Sequence, residues 1–199
     1  MAKLYFYYAA MNAGKSTTLL QADFNYRERG QRTMLFTAAF DDRFRRGAIT
    51  SRIGLEADAN PIEPDTDLFA TVASAHATDP IDCVLVDEAQ WLSRAQAFQL
   101  AAICDELGIP VLTYGLRSDF QAKLFEGSAA LLAIADSLVE LKAICTCGRK
   151  ATMNLRVDGA GHAVKEGAQI EVGGNERYIA LCRRHYAEQM GLHGGRHIA

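Results

Sequence analysis

Short apolar runs alternate with longer stretches of helical period along this chain of 199 residues. Aliphatic, β-branched and aromatic runs at 4–8, 33–37, 83–86, 110–114 and 138–144 predict strands. Between them, 16–29, 67–77, 93–107 and 128–135 carry the spacing of helices, with Ser93 as the cap of the third and Gly108 as its stop. Cys83-Val84-Leu85-Val86 is apolar at every position, as a strand buried on both faces must be. Strands alternating with helices predict an α/β fold, a mostly parallel sheet with helices on both faces.

Two stretches break this rhythm. Residues 38–64 are polar and aperiodic, with Arg43, Arg45, Arg46 and Arg52, and a loop of that length is functional or disordered. Arg43, Arg45 and Arg46 read as a solvated face. After residue 144, Gly159, Gly161, Gly167, Gly173 and Gly174 punctuate short strand-like pieces, the texture of a second, smaller module. The expected organisation is one unit over 1–142, a second over 143–192 and a flexible tail over 193–199.

Composition narrows the class. At 49% hydrophobic, the chain can build a core of one medium domain with an appendage. A net charge of -3 and a pI near 6.0 argue against sequence-independent nucleic-acid binding. No run of 18 apolar residues predicts a membrane span, and the start, Met-Ala-Lys-Leu-Tyr-Phe, lacks a signal-peptide layout. The expected location is the cytoplasm, where five cysteines read as thiols or metal ligands.

The chemistry begins at Ala9-Ala10-Met11-Asn12-Ala13-Gly14-Lys15-Ser16-Thr17, between a predicted strand and a predicted helix. Strand, small-residue loop, Lys-Ser/Thr and helix form the layout of a phosphate-binding P-loop. Loop amides and the helix N-terminus point at anionic oxygens, Lys15 supplies a charge for the β/γ-phosphates, and Ser16 offers a hydroxyl to Mg²⁺. Ala9 stands where the pattern has glycine, and alanine disfavours φ > 0, which puts nucleotide affinity at issue. The bland alternative is a chance Gly-Lys-Ser at a helix start. Downstream, the buried strand ends in Asp87-Glu88-Ala89-Gln90. Ligands of parallel sheets bind beyond the carboxyl ends of the strands, so Asp87 falls where a carboxylate holds Mg²⁺. Adjacent side chains at a strand end diverge, which leaves Glu88 for general-base work on an attacking hydroxyl or water. Arg52 would neutralise charge on a transferred phosphoryl group, against the plain alternative of an exposed loop arginine.

Cys145-Thr146-Cys147 and Cys182-Arg183-Arg184-His185 form two ligand pairs around a β-like insertion. Three thiolates and one imidazole close a tetrahedron with no open position, the pattern of a structural zinc site, and Gly148 supplies the turn of the first knuckle. Cys83 and Cys104, inside a strand and a helix, read as core residues.

Taken in order, the Met11–Thr17 loop, the Asp87–Gln90 box, Tyr114-Gly115-Leu116 with Phe120, and the cysteine module resemble the type II class of thymidine kinases, cytosolic and bacterial, over nearly the whole chain. The resemblance implies a RecA-like P-loop domain with a small zinc-binding lasso domain, in a homotetramer. It implies phosphorylation of thymidine and deoxyuridine at the 5′-hydroxyl by ATP with Mg²⁺, supplying dTMP for DNA precursor salvage, under feedback by dTTP. Glu88 matches the family's catalytic base and Met11 the loop methionine beside the thymine pocket. Leu116 and Phe120 match pocket residues, Tyr178 the tyrosine that bonds the sugar, and Gly173 lies in the lasso that reads the base with backbone groups. Neither a membrane nor nucleic acid is an expected partner. Two other readings stand beside this one. A P-loop ATPase acting on nucleic acid would use the same box, and would consume ATP on single-stranded nucleic acid rather than thymidine. A zinc-ribbon interaction module with a degenerate P-loop has Ala9 as its support, and binds no nucleotide.

Overall fold

A computed structural model describes residues 1–39, 47–169 and 177–192. Six strands form one sheet in the order β5-β2-β6-β7-β1-β8. They are β1 (Leu4–Ala9), β2 (Thr33–Ala38), β5 (Asn60–Ile62), β6 (Cys83–Val86), β7 (Val111–Leu116) and β8 (Ser137–Glu140). Every pairing in this sheet is parallel, a stricter outcome than the mostly parallel expectation.

Alternation along the strands divides the core in two. Leu4, Phe6, Phe36, Val84, Val86 and Val111 face helices α2 (Leu68–Thr78), α3 (Arg94–Leu107) and α4 (Glu126–Ile134). Leu35, Cys83, Leu85, Leu112 and Tyr114 face Leu19 and Leu20 of α1 (Lys15–Glu28). The period of 2 in the strands thus gives each face its own helical cover, as the all-apolar β6 requires. Asp67 caps α2 by accepting from the Ala70 N–H at 2.9 Å, and Ser93 and Gln96 close a reciprocal capping box on α3.

The aperiodic stretch at 38–64 holds more order than its sequence predicts. β3 (Ala48–Thr50) and β4 (Glu56–Asp58) form an antiparallel hairpin, and β5 is the edge of the main sheet. Strands of three residues are too short to show a period, and Pro61 inside β5 is tolerated because an edge strand leaves one side unpaired. The run 138–144 is likewise two strands, not one. β8 joins the main sheet, while β9 (Ala143–Ile144) pairs antiparallel with β10 (Lys150–Ala151).

Past residue 142 a separate apolar cluster forms around Ala143, Cys145, Met153, Leu155, Leu181, Cys182 and Tyr186. β11 (Met153–Arg156) pairs antiparallel with β12 (Tyr178–Leu181), and α5 (Arg183–Met190) follows. Ala10 of the glycine loop is buried within this cluster and Ala13 packs against it. The expectations for Arg43, Arg45, Arg46, Gly173, Gly174 and the tail from 193 onward lie outside the described residues.

Candidate active site and zinc centre

β1 delivers the chain to the loop as an extended strand, with Ala9 paired to Leu116 of β7. The left-handed residues come later, at Asn12 (φ 64) and Gly14 (φ 75). Ala9 therefore sits where no positive φ is required, and its methyl is buried at the strand end. No side chain caps α1, whose N-cap is Gly14, so the first-turn amides face the loop's concavity. Lys15 is buried and donates from Nζ to the Ala10 carbonyl at 3.2 Å.

The box after β6 is folded tightly against that loop. Asp87 accepts from Ser16 Oγ at 2.7 Å and from the Glu88 N–H at 3.0 Å. Burial pushes the Asp87 carboxyl up to about 7, and the neighbouring Glu88 charge adds to the rise; Ser16, the Glu88 amide and Lys15 oppose it. A hydroxyl and a carboxylate side by side are the hard oxygen donors that Mg²⁺ takes. Glu88 itself is left-handed (φ 53), a conformation that costs a non-glycine residue on the order of 1 kcal/mol. Gln90 then holds the Glu88 carboxylate with its Nε2 and accepts the Leu116 N–H with Oε1 at 2.9 Å. The carboxylate is thus tied through Gln90 to the end of β7.

Two clefts meet at Glu88. One, of about 340 Å³, is lined by Met11, Asn12, Ala13, Gly14, Lys15, Ser16 and Thr17 with Thr50, Arg52, Glu88 and Leu116. The other, of about 260 Å³, is lined by Glu88, Gln90, Trp91, Phe125, Gln96 and Gln169 among others. Trp91 and Phe125 stand edge to face, ring centroids 4.9 Å apart, and give this second cleft an aromatic wall. The structure brings the glycine loop, Arg52, Asp87, Glu88, Gln90 and Leu116 together. Phe120 and Tyr178 belong to neither lining. Phe120 is buried with the Arg156 guanidinium 3.9 Å over its ring, and Tyr178 pairs with Arg156 across β11 and β12. Trp91, Phe125 and Gln169 were missed by sequence reasoning. Trp91 carried one signal, as the chain's single tryptophan directly after the carboxylate box.

The cysteine cluster assembles as its spacing predicts. The ligand atoms of Cys145, Cys147, Cys182 and His185 lie within 4.8 Å of one another. Tetrahedral zinc would set S···S edges of about 3.8 Å and S···N edges of about 3.5 Å. The Cys147 and Cys182 sulfurs are 3.8 Å apart, and the Cys145 sulfur is 3.4 Å from His185 Nδ1. The donor set and its spacing fit zinc. Burial works against ionisation of Cys145, but amides of Cys147 and Cys182 and the His185 side chain outweigh it and bring the thiol down to about 5. Gly148 (φ 80) makes the knuckle turn, donating to the Cys145 carbonyl at 2.8 Å. Glu188, which accepts from Arg184 Nε at 2.8 Å, lies 3.9 Å from His185 Nε2, on the side of the ring away from Cys145.

Comparison with known proteins agrees with this geometry. A family model described as thymidine kinase matches residues 2–186. The thymidine kinase of Novosphingobium aromaticivorans is 69% identical over 191 residues, covering 96% of this chain and 100% of that protein. That of Zymomonas mobilis is 62% identical over 190 residues, covering 96% and 98%. That of Vibrio cholerae is 56% identical over 191 residues, covering 96% and 100%. A solved structure of the replication initiator DnaA bound to AMPPCP and single-stranded DNA overlaps at a TM-score of 0.42 and 19% identity, over 71% of this chain and 40% of that one, a likeness too loose to bear on function. Among the described residues no helix is long and apolar enough to cross a membrane. With a family model matched over residues 2–186 and relatives 56–69% identical over 96% of its length, the chain belongs to the thymidine kinase family and its activity is the phosphorylation of thymidine.

Proposed function

We propose that the enzyme transfers the γ-phosphate of ATP to the 5′-hydroxyl of thymidine, and of deoxyuridine, with Glu88 as general base. The observation that carries this reading is that Glu88 lines both clefts. The triphosphate lies in the cleft of the glycine loop, cradled by residues 9–14 and the first-turn amides of α1, with Lys15 and Thr17 on the phosphates. Ser16 and Asp87 would hold Mg²⁺, which would supply charge neutralisation to the phosphates. The nucleoside enters the second cleft and presents its 5′-hydroxyl to Glu88, which takes the proton as the oxygen attacks phosphorus. Gln90 keeps Glu88 aimed, and Arg52, exposed on the far rim, stabilises charge on the phosphoryl group in flight. Little covalent chemistry falls to the protein; positioning carries the rate.

The α/β domain spans 1–142 and the zinc-bearing lasso domain 143–192, with the tail beyond. Ala143 as the first residue after the main sheet to enter the second apolar cluster supports that boundary. Met11, Leu116, Phe120, Gly173 and Tyr178 complete the nucleoside side, and Trp91 and Phe125 join them. The link from Tyr178 through Arg156 to Phe120 supports a lasso seated on the β7 exit loop. The product, dTMP, feeds DNA precursor salvage in the cytoplasm. The enzyme works as a homotetramer and dTTP inhibits it by filling both clefts at once.

The test is Glu88→Gln. Turnover falls by roughly 10²- to 10⁴-fold while ATP binding measured by calorimetry is retained. Loss of ATP binding in that variant would make Glu88 a structural residue instead.

A further inference from the structure

Asn154 stands on β11, outside the glycine loop and outside both clefts, and is 3% exposed. Its Oδ1 accepts the Met11 N–H at 2.8 Å, and its Nδ2 donates to the Ser118 carbonyl at 3.0 Å. The two bonds fix the amide's orientation, because a flipped amide would set donor against donor at Met11 and acceptor against acceptor at Ser118. One side chain thus ties three segments of different origin: the glycine loop after β1, the exit loop of β7 and the zinc-bearing module.

The bond to Met11 falls at a sensitive place. Met11 directly precedes Asn12, which is left-handed, and Gly14 two residues on is left-handed as well. A loop with alternating backbone signs keeps its amides aimed inward only if its entry is held. Nothing in the loop's own sequence holds the Met11 amide. Ala10 packs into the apolar cluster that contains Cys145, Met153 and Cys182, so this side of the loop rests on the zinc-bearing module in two ways.

We propose that Asn154 is a positioning residue for ATP, fixing the phosphate loop from the zinc-bearing module by holding the Met11 amide. The proposal rests on the reading of this loop as the ATP site. It makes the second module part of the ATP machinery as well as the nucleoside side. A buried amide that loses its partner reorients or takes in water, and the loop then samples arrangements that do not bind phosphate. The effect falls mainly on ATP, because the held amide belongs to the phosphate loop; thymidine, whose cleft is walled by Trp91 and Phe125, loses less.

The experiment compares the full-length wild type with Asn154→Leu, which keeps the branched outline at a larger volume and removes both bonds. MgATP and thymidine binding are measured separately by calorimetry, zinc content by atomic emission, and hydrogen exchange of the peptide 9–14 by mass spectrometry. The leucine variant is expected to bind MgATP about 5- to 100-fold more weakly. Its KM for ATP rises by the same factor, exchange in 9–14 accelerates, zinc content stays at the wild-type value, and thymidine affinity falls by a clearly smaller factor than ATP affinity. Should the leucine variant fail to fold, Asn154→Ser, whose hydroxyl is too short to span both partners, is read in the same way. MgATP affinity unchanged in a folded variant overturns the proposal, as does an equal fall for ATP and thymidine. Failure of the wild type to bind MgATP would instead sink the underlying reading of the loop.

Discussion

Gly127 sits in the first turn of α4 against the turn at Ala89–Trp91. A Cβ placed there would meet the backbone oxygens of Ala89 at 2.5 Å, Leu92 at 2.8 Å and Gln90 at 3.0 Å. All three are main-chain atoms, so no side chain can rotate out of the way. Relief to ordinary contact requires the turn to move by about 1 Å, in an interior that is close-packed. Overpacking of this kind costs about 1–3 kcal/mol, and the better helix propensity of alanine returns at most about 1 kcal/mol. With a mid-range cost of about 2 kcal/mol the net loss is about 1 kcal/mol or more, which in a chain of this size lowers Tm by roughly 2–4 °C per kcal/mol. The same turn carries Gln90, which holds Glu88, so the shift reaches the base. Misplacement by about 1 Å costs on the order of 10²-fold in rate. Gly127→Ala is therefore expected to lower Tm by a few degrees and kcat far more than that stability loss alone explains, with ATP binding kept because the glycine loop is untouched. Calorimetric melting and steady-state kinetics on the same preparation decide it. A variant with wild-type Tm and wild-type kcat would refute the claim that the turn is rigidly seated on α4 and that its seat aims Glu88.

Other consequences are open to measurement. Cys182→Ser is expected to release zinc and to raise the KM for thymidine, read by metal analysis alongside kinetics; undiminished zinc would remove Cys182 from the ligand set. Inhibition by dTTP should be competitive with thymidine and relieved by raising it, and a rate indifferent to dTTP would contradict simultaneous occupation of both clefts. At alkaline pH, burial raises Cys83 to about 12 and Cys104 to about 11, and lifts Tyr26 and Tyr114 as well. The unfolded chain ionises its thiols near 9.0. The contribution of these buried groups to stability is accordingly complete below that pH and is lost as pH rises toward 12, a trend that denaturant titrations above pH 9 will show or refute.

The parts of the site that the sequence displays are those whose geometry is local. A P-loop is written in consecutive residues, because one strand end, one turn and one helix start make it. The zinc cluster is legible for a similar reason, since each ligand pair is held by one tight turn. Ala9 was misleading only because motif spacing does not say which position bears the positive φ; the structure puts it at Asn12 and Gly14. What stayed hidden is tertiary. Trp91, Phe125 and Gln169 come from three separate segments, and only folding sets them around Glu88. β5 escaped notice because three residues with a proline carry no period, though its neighbours in the sheet make it a strand. Asn154 gives no signal at all in sequence, for a lone asparagine before Leu-Arg in a strand is unremarkable until Met11 and Ser118 are seen at its two ends.

Two clefts share one carboxylate, that of Glu88. The most direct measurement is transfer of labelled γ-phosphate from MgATP to a panel of nucleosides, with wild type and Glu88→Gln side by side. Label on the 5′-position of thymidine, none on purine nucleosides and almost none with the glutamine variant is the predicted result. Folded, zinc-containing wild-type protein that binds ATP yet labels no nucleoside would contradict it.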